Sequence, residues 1–193
     1  MNAAVFLDRD GTLIEEKDYL RHADEVRVYP GVVPGLARLA KAGFKLFLVT
    51  NQSGVGRGYF TLAQVEAVHR HLLAVLGEVV ITKVYVAPEA PDQPSRGRKP
   101  SPSFLLDARD EFAVNLEHSY MVGDKLIDMQ TGWNAGLIRC LLVRTGYGAR
   151  TEHEHQAELG RAVVVDTLAE AVDWILANRP AVEDQISTVG LKK

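Results

Sequence analysis

The chain has 193 residues, with 22 Lys and Arg against 25 Asp and Glu for a formal net charge of −3. This suits one domain with a sizeable core and supplies no basic field for nucleic acid. A single cysteine, Cys140, excludes an intramolecular disulfide and a multi-cysteine zinc site, and reads as a core residue in a reducing cytoplasm.

Residues 3–7 are an apolar run that ends in Asp8-Arg9-Asp10-Gly11-Thr12. A short apolar run followed by acids and a glycine reads as a central parallel strand entering a tight turn, which puts both acids at the carboxyl edge of a sheet, where open α/β folds bind ligands. Asp8 and Asp10 project to one side of an extended segment and repel each other unless a cation joins them, and the hard carboxylate oxygens suit Mg²⁺. A solvated turn is the alternative reading of these residues taken alone. The N-terminus shows no basic region followed by a long apolar segment, and no later run approaches the roughly 18 apolar residues of a membrane span. The expected protein is therefore cytoplasmic, with neither membrane nor nucleic acid as partner.

Residues 13–30 are polar and irregular and read as a loop over the strand ends, either a solvated connection or, at this length, a binding loop. Val32, Val33, Leu36, Leu39 and Ala40 then recur with helical spacing, with Gly43 as the stop. A second strand at 44–49 delivers Thr50 to the same edge, as a hydroxyl donor that adds no charge or as an incidental turn residue. The glycines of 54–58 are in the wrong place for a dinucleotide fingerprint. They read as a flexible loop carrying Arg57, either near the site or in solvent. Thr61 is expected to cap a helix over 62–76, in which neither His69 nor His71 requires a function.

A third strand at 79–86 leads into the loop 87–97, stiffened by Pro88, Pro91 and Pro94. Lys99 follows, ahead of a helix over 101–112 whose N-terminus favours anions. A fourth strand at 118–122 runs into Asp124, either a metal ligand or a simple N-cap, with Asp128 one helical turn further on the same side. A fifth strand at 139–143, a polar stretch with His153 and His155 in solvent, a sixth strand at 162–165 and a helix over 167–177 complete the pattern. The fold class expected is α/β, a Rossmann-like doubly wound parallel sheet over 1–178, followed by a loosely ordered tail at 179–193.

An acid pair, a hydroxyl, a lysine and a further acid at successive strand ends resemble, as a set and in this order, the haloacid dehalogenase superfamily of phosphotransferases across nearly all of 1–178. Within it, Asp8 to Thr12, Thr50-Asn51-Gln52-Ser53-Gly54 with Arg57-Gly58, Arg98-Lys99-Pro100, Gly123-Asp124-Lys125 with Asp128-Met129-Gln130, and Arg144-Thr145-Gly146 are similar to the heptose-bisphosphate phosphatase group. Its relatives, the histidinol-phosphate phosphatases, share the core motifs but usually lack the Arg-Gly and Arg-Thr-Gly pairs. The resemblance implies an enzyme that hydrolyses a small phosphorylated sugar. In that reading Asp8 is the nucleophile, Asp10 the acid and base, and Thr50 and Lys99 hold the phosphoryl group. Mg²⁺ is held by Asp8, the Asp10 carbonyl and Asp124, with Asp128 behind them. Substrate contacts are implied for Glu16, Tyr19, Asn51, Gln52, Ser53, Arg98 and Lys125, and Arg57 is added here.

The group usually carries a zinc loop of cysteines and a histidine. The matching positions here are Ala87, Glu89, Ser95 and Gly97, so no zinc is expected and chain stiffness is expected to position Arg98 and Lys99. No insertion is long enough for a cap domain, so the site should be open, and the protein is expected to act as a monomer. A non-catalytic phosphosugar-binding protein is the rival reading from another class, and the intact acid pair argues against it.

Overall fold

The computed structural model describes residues 2–180. Six parallel strands, β1 (Ala4–Leu7), β2 (Lys45–Asn51), β3 (Ile81–Ala87), β4 (Tyr120–Gly123), β5 (Arg139–Val143) and β6 (Val163–Val165), form one sheet in the order β3-β2-β1-β4-β5-β6. The order reverses direction at β1, so the crevice at its carboxyl end is the topological switch point where such sheets bind ligands. Asp8 stands there directly after the strand.

Alternation along β1 divides the core. Val5 and Leu7 face one side with α1 (Val32–Lys41), α3 (Leu62–Leu76) and α7 (Leu168–Asn178), while Ala4 and Phe6 face the other with α4 (Ser103–Phe112) and α5 (Leu126–Asn134). Each fully buried Leu or Phe on these faces contributes about 1.5–3 kcal/mol of transfer free energy. Phe6 stacks on Phe47 with ring centroids 5.2 Å apart, and Cys140 lies in the second core as expected, its thiol pushed up to about 12 by burial.

Thr61 caps α3 as predicted, accepting from the Gln64 N–H while the Gln64 side chain accepts from Thr61 N–H, a full capping box. Gly43, at φ +91°, follows the end of α1 in the conformation that suits glycine. β2 runs two residues past the predicted run, so Thr50 and Asn51 belong to the strand itself.

Three expectations need correction. Residues 54–58 are no flexible loop: Ser53–Gly56 form a helical turn, α2, and a Cβ at Gly54 would collide with the Phe60 ring. Gly54 and Gly56 permit close packing against Phe60 and Ala90, while Gly58, at φ +74°, lies in open space. The stretch containing His153 forms a short helix, α6 (Gly148–Glu154), opened by a glycine packed against the Val143 carbonyl, a contact invisible to periodicity. Pro102 is the N-cap of α4, one position before the helix. Among the described residues, the connections leaving β1 and β2 hold only loops, a 3-10 turn, α1, α2 and α3, with no cap domain. The tail expected at 179–193 lies outside the described residues from 181 onward.

Candidate active site

Asp8 donates its backbone N–H to the Val122 carbonyl at 2.9 Å, which fixes the end of β1 against β4. Its carboxylate is buried and lies 2.7 Å from Lys99 Nζ, which also sits 2.5 Å from Asp128 Oδ1. Burial works against the Lys99 ammonium, but Asp128 and Asp8 more than reverse it, and Lys99 titrates above the ordinary lysine range. Asn51 anchors this lysine by its backbone, accepting from Lys99 N–H at 3.0 Å and donating to the Lys99 carbonyl at 3.3 Å. Expected to touch substrate, Asn51 thus commits its amide to holding the cation in place.

Asp124 has no solvent exposure. Gly11, at φ +81°, lies so close that a Cβ there would fall on the Asp124 carboxylate. Asp124 Oδ2 accepts from the Tyr147 N–H at 2.8 Å, whereas Oδ1 is buried with no hydrogen-bond partner. One oxygen each of Asp8, Asp124 and Asp128 lie within 4.8 Å of one another. An orphaned buried carboxylate oxygen inside a cluster of hard oxygen donors fits a divalent cation. Burial first, and the Asp8 charge second, push Asp124 up to about 8.

The Arg144-Thr145-Gly146 motif acquires a physical role here. Thr145 Oγ1 donates to the Gly11 carbonyl at 2.6 Å, and Thr151 Oγ1 donates to the Asp124 carbonyl at 2.9 Å, so the loop after β5 and the short helix α6 fasten the loops that carry the acids. Arg144 turns outward to Glu152 and Asp166.

Asp10 is gripped from two sides. Arg9 donates from Nε to Oδ2 at 3.0 Å and from Nη2 to Oδ1 at 2.9 Å, while Gln52 Nε2 donates to Oδ2 at 3.0 Å and to Thr50 Oγ1 at 2.8 Å. Arg9 is 1% exposed, and its Nη1 lies 3.1 Å from Nε2 of the buried His69. Burial, then the Arg9 charge, lower His69 to about 3, so the ring is neutral. Helical spacing placed His69 on α3, where no function was required of it, but said nothing of a guanidinium arriving from the turn after β1.

Above these acids opens a cavity of about 300 Å³. Asp8, Asp10, Glu16, Tyr19, Thr50, Asn51, Gln52, Ser53, Lys99 and Lys125 all line it, with Asp124 and Asp128 buried beneath. Lys125 Nζ pairs with Glu16 Oε2 at 2.9 Å and lies 4.6 Å from the Tyr147 ring centroid. Burial disfavours both charges. It raises Glu16, whereas the acids around Lys125 reverse its effect there and hold that ammonium protonated. Tyr147 OH in turn donates to Asp18 Oδ1 at 2.9 Å, tying the 13–30 loop to the loop after β5. Tyr19, at φ +62°, meets Tyr59 edge to face at 4.7 Å at the mouth.

Arg57 and Arg98 do not line the cavity. Arg57 is exposed, Arg98 is half-buried, and burial foremost and then the Arg57 charge lower Arg98 from the ordinary arginine range. Tyr147, Arg9 and Phe60 line it without having been singled out as site residues. The place of Tyr147 directly after the Arg-Thr-Gly motif was the only signal for the first.

Two family models match: HAD-hydrolase-like over residues 97–171 and Polynucleotide kinase 3 phosphatase over residues 3–132. The chain is 37% identical over 176 residues to a D-glycero-beta-D-manno-heptose-1,7-bisphosphate 7-phosphatase of Photorhabdus laumondii, covering 86% of this chain and 92% of that one. It is 40% identical over 164 residues to the enzyme of that name from Escherichia coli K12, covering 80% and 86%. A crystal structure of a D,D-heptose 1,7-bisphosphate phosphatase from B. bronchiseptica, complexed with magnesium and phosphate, superposes with a TM-score of 0.81 at 32% identity, covering 92% of this chain and 99% of that one.

Proposed function

Because the chain belongs to the D-glycero-D-manno-heptose-1,7-bisphosphate 7-phosphatase family of HAD-like phosphatases, we propose that it removes the 7-phosphate of that sugar bisphosphate, with residues 1–178 as one catalytic unit in the cytoplasm. No helix among the described residues is long and apolar enough to cross a membrane. The observation that carries the reading is the position of Asp8, on the cavity floor in contact with Lys99 Nζ and beside two buried acids.

A carboxylate approaching a phosphate dianion meets repulsion of about 4 kcal/mol per charge pair at about 4 Å and an effective dielectric near 20. Lys99 offsets it, and a Mg²⁺ ion, which Asp8, the Asp10 carbonyl and Asp124 would hold, would supply further charge neutralisation at the transferring group. An Asp8 oxygen attacks phosphorus and the bond to the sugar oxygen breaks. Asp10 gives that oxygen its proton. Water then attacks the aspartyl phosphate, Asp10 recovers a proton from it, and inorganic phosphate leaves Asp8 free. Thr50 and Lys99 hold the phosphoryl oxygens as charge moves onto them.

The test is kcat/KM measured side by side on heptose 1,7-bisphosphate, histidinol phosphate and small sugar monophosphates, with the bisphosphate preferred. A preference for histidinol phosphate or for a monophosphate would replace the substrate, and no phosphate release at all would favour a binding protein. Asp10→Asn is expected to lose far more on a sugar phosphate than on an activated aryl phosphate, whose leaving group needs little protonation. Equal losses would count against Asp10 as the acid.

Zinc is not part of the proposal. Two positions of the missing zinc loop bond to each other: Ser95 Oγ donates to Glu89 Oε2 at 2.6 Å and accepts from the Arg98 N–H at 3.1 Å, while Arg98 Nη1 donates to the Glu89 carbonyl at 3.1 Å. This clasp adds to proline stiffness what a metal supplies in a zinc loop. Protein stripped with chelator should regain full activity with Mg²⁺ alone, and elemental analysis should find no stoichiometric zinc; one zinc per chain would overturn this.

The raised Asp124 adds a pH dependence to that metal binding. A carboxyl whose folded pKa exceeds its unfolded value near 4 contributes stability below the unfolded value and loses it as pH rises toward about 8. Mg²⁺ must expel the same proton, so in metal-free protein its apparent affinity should rise with pH up to about 8. The gain in Tm on adding a fixed Mg²⁺ concentration should therefore be larger at pH 8 than at pH 6. Identical gains at the two pH values would place the proton elsewhere.

A further inference from the structure

We propose that His69 is a positioning residue for the general acid, acting through Arg9 to hold the Asp10 carboxyl in the orientation from which it reaches the leaving oxygen; this rests on the acid assignment made above. The argument begins with what a buried guanidinium requires. Arg9 carries five N–H donors and no acceptor, and it is the largest of the fully buried side chains among the described residues. Its Nε and Nη2 fork onto the two oxygens of Asp10. Nη1 points the other way, to His69 Nε2 at 3.1 Å.

Since Arg9 can only donate, the facing ring nitrogen is the acceptor and the tautomer is fixed with its hydrogen on Nδ1. A planar fork anchored at its third nitrogen cannot rotate about its own axis, so the plane of the Asp10 carboxyl follows from the position of a residue on α3. Released from that anchor, a permanent cation next to Asp8 in sequence is free to turn toward any phosphate entering the cavity that Arg9 itself lines. His69 touches neither substrate nor Asp10, and its effect is confined to the step that needs a well-aimed proton.

The experiment compares His69→Leu, His69→Gln, Arg9→Lys and Asp10→Asn on a sugar phosphate and on p-nitrophenyl phosphate. His69→Leu should lower kcat on the sugar phosphate by about 10- to 100-fold, part of the 10²–10⁴ that a positioned acid supplies, with KM within about twofold and a loss under about threefold on the aryl ester. His69→Gln, which keeps an acceptor of similar reach, should recover most of the loss. Arg9→Lys, which cannot fork, should reproduce it, and that variant with His69→Gln carries the test should the leucine form fail to fold. Equal losses on both substrates, or failure of glutamine to rescue in folded protein, would overturn the proposal. A leaving-group split in Asp10→Asn with none in His69→Leu removes this proposal alone, whereas no split in Asp10→Asn removes the acid assignment and the proposal with it.

Discussion

Asp8→Asn is expected to lower phosphate release by at least about 10⁴-fold, because an amide oxygen is a poor nucleophile and no other group on the cavity floor is placed to replace it. The fold should survive. Asparagine has nearly the same shape and can still accept from Lys99, and losing the negative charge also relieves repulsion among three acids whose oxygens lie within 4.8 Å of one another. The midpoint of thermal melting should shift by only a few degrees, a change of about 1 kcal/mol. Rapid-quench labelling with a ³²P substrate should trap phosphate on the parent protein and none on the variant. Turnover near the parent rate would exclude a covalent route through Asp8.

Lys99→Met is expected to damage both activity and stability. Its ammonium lies between Asp8 and Asp128, all three buried, so methionine leaves two carboxylates facing each other without their cation. Removing one partner of a buried ion pair typically costs about 3–5 kcal/mol. Loss of the cation from the transferring phosphoryl group should add a fall in kcat of about 10²–10³-fold. Denaturant unfolding of the metal-free variant checks the first effect and phosphate release with saturating Mg²⁺ checks the second. Unchanged stability would mean that the Nζ is not seated between the acids.

The doubled role of Lys99 shows why the site tolerates so much buried charge. Three acids beneath one cavity are costly, and the protein answers with Lys99 on one side, Lys125 on another and room for a divalent cation at the orphaned Asp124 oxygen. Under the proposed mechanism Asp124, whose Oδ1 has no hydrogen-bond partner, is the group whose proton a bound cation would displace.

The sheet and the residues at its edge were legible along the chain. Apolar runs of strand length alternating with helical periodicity require parallel strands joined by crossovers, and parallel connection brings every carboxyl end to one side. Asp8, Thr50 and Asp124 therefore met in space because each follows, or ends, such a run, and Lys99 comes to the same edge from the loop between β3 and α4. What those residues bind to was set by packing between distant segments. Hydrophobic periodicity encodes which face is buried, not which atom lies opposite, so it placed His69 on α3 without its bond to Arg9, and Glu89 and Ser95 on a loop without their bond to each other. It placed Asn51 beside the site without showing that its amide is committed to the Lys99 backbone. It also mistook the glycines at 54–58 for freedom, when Gly54 and Gly56 are there because the Phe60 ring and the Ala90 backbone leave no room for a Cβ. Contacts between distant segments depend on distances of a few tenths of an ångström set by the packed core, and a pattern read along the chain carries no information at that scale.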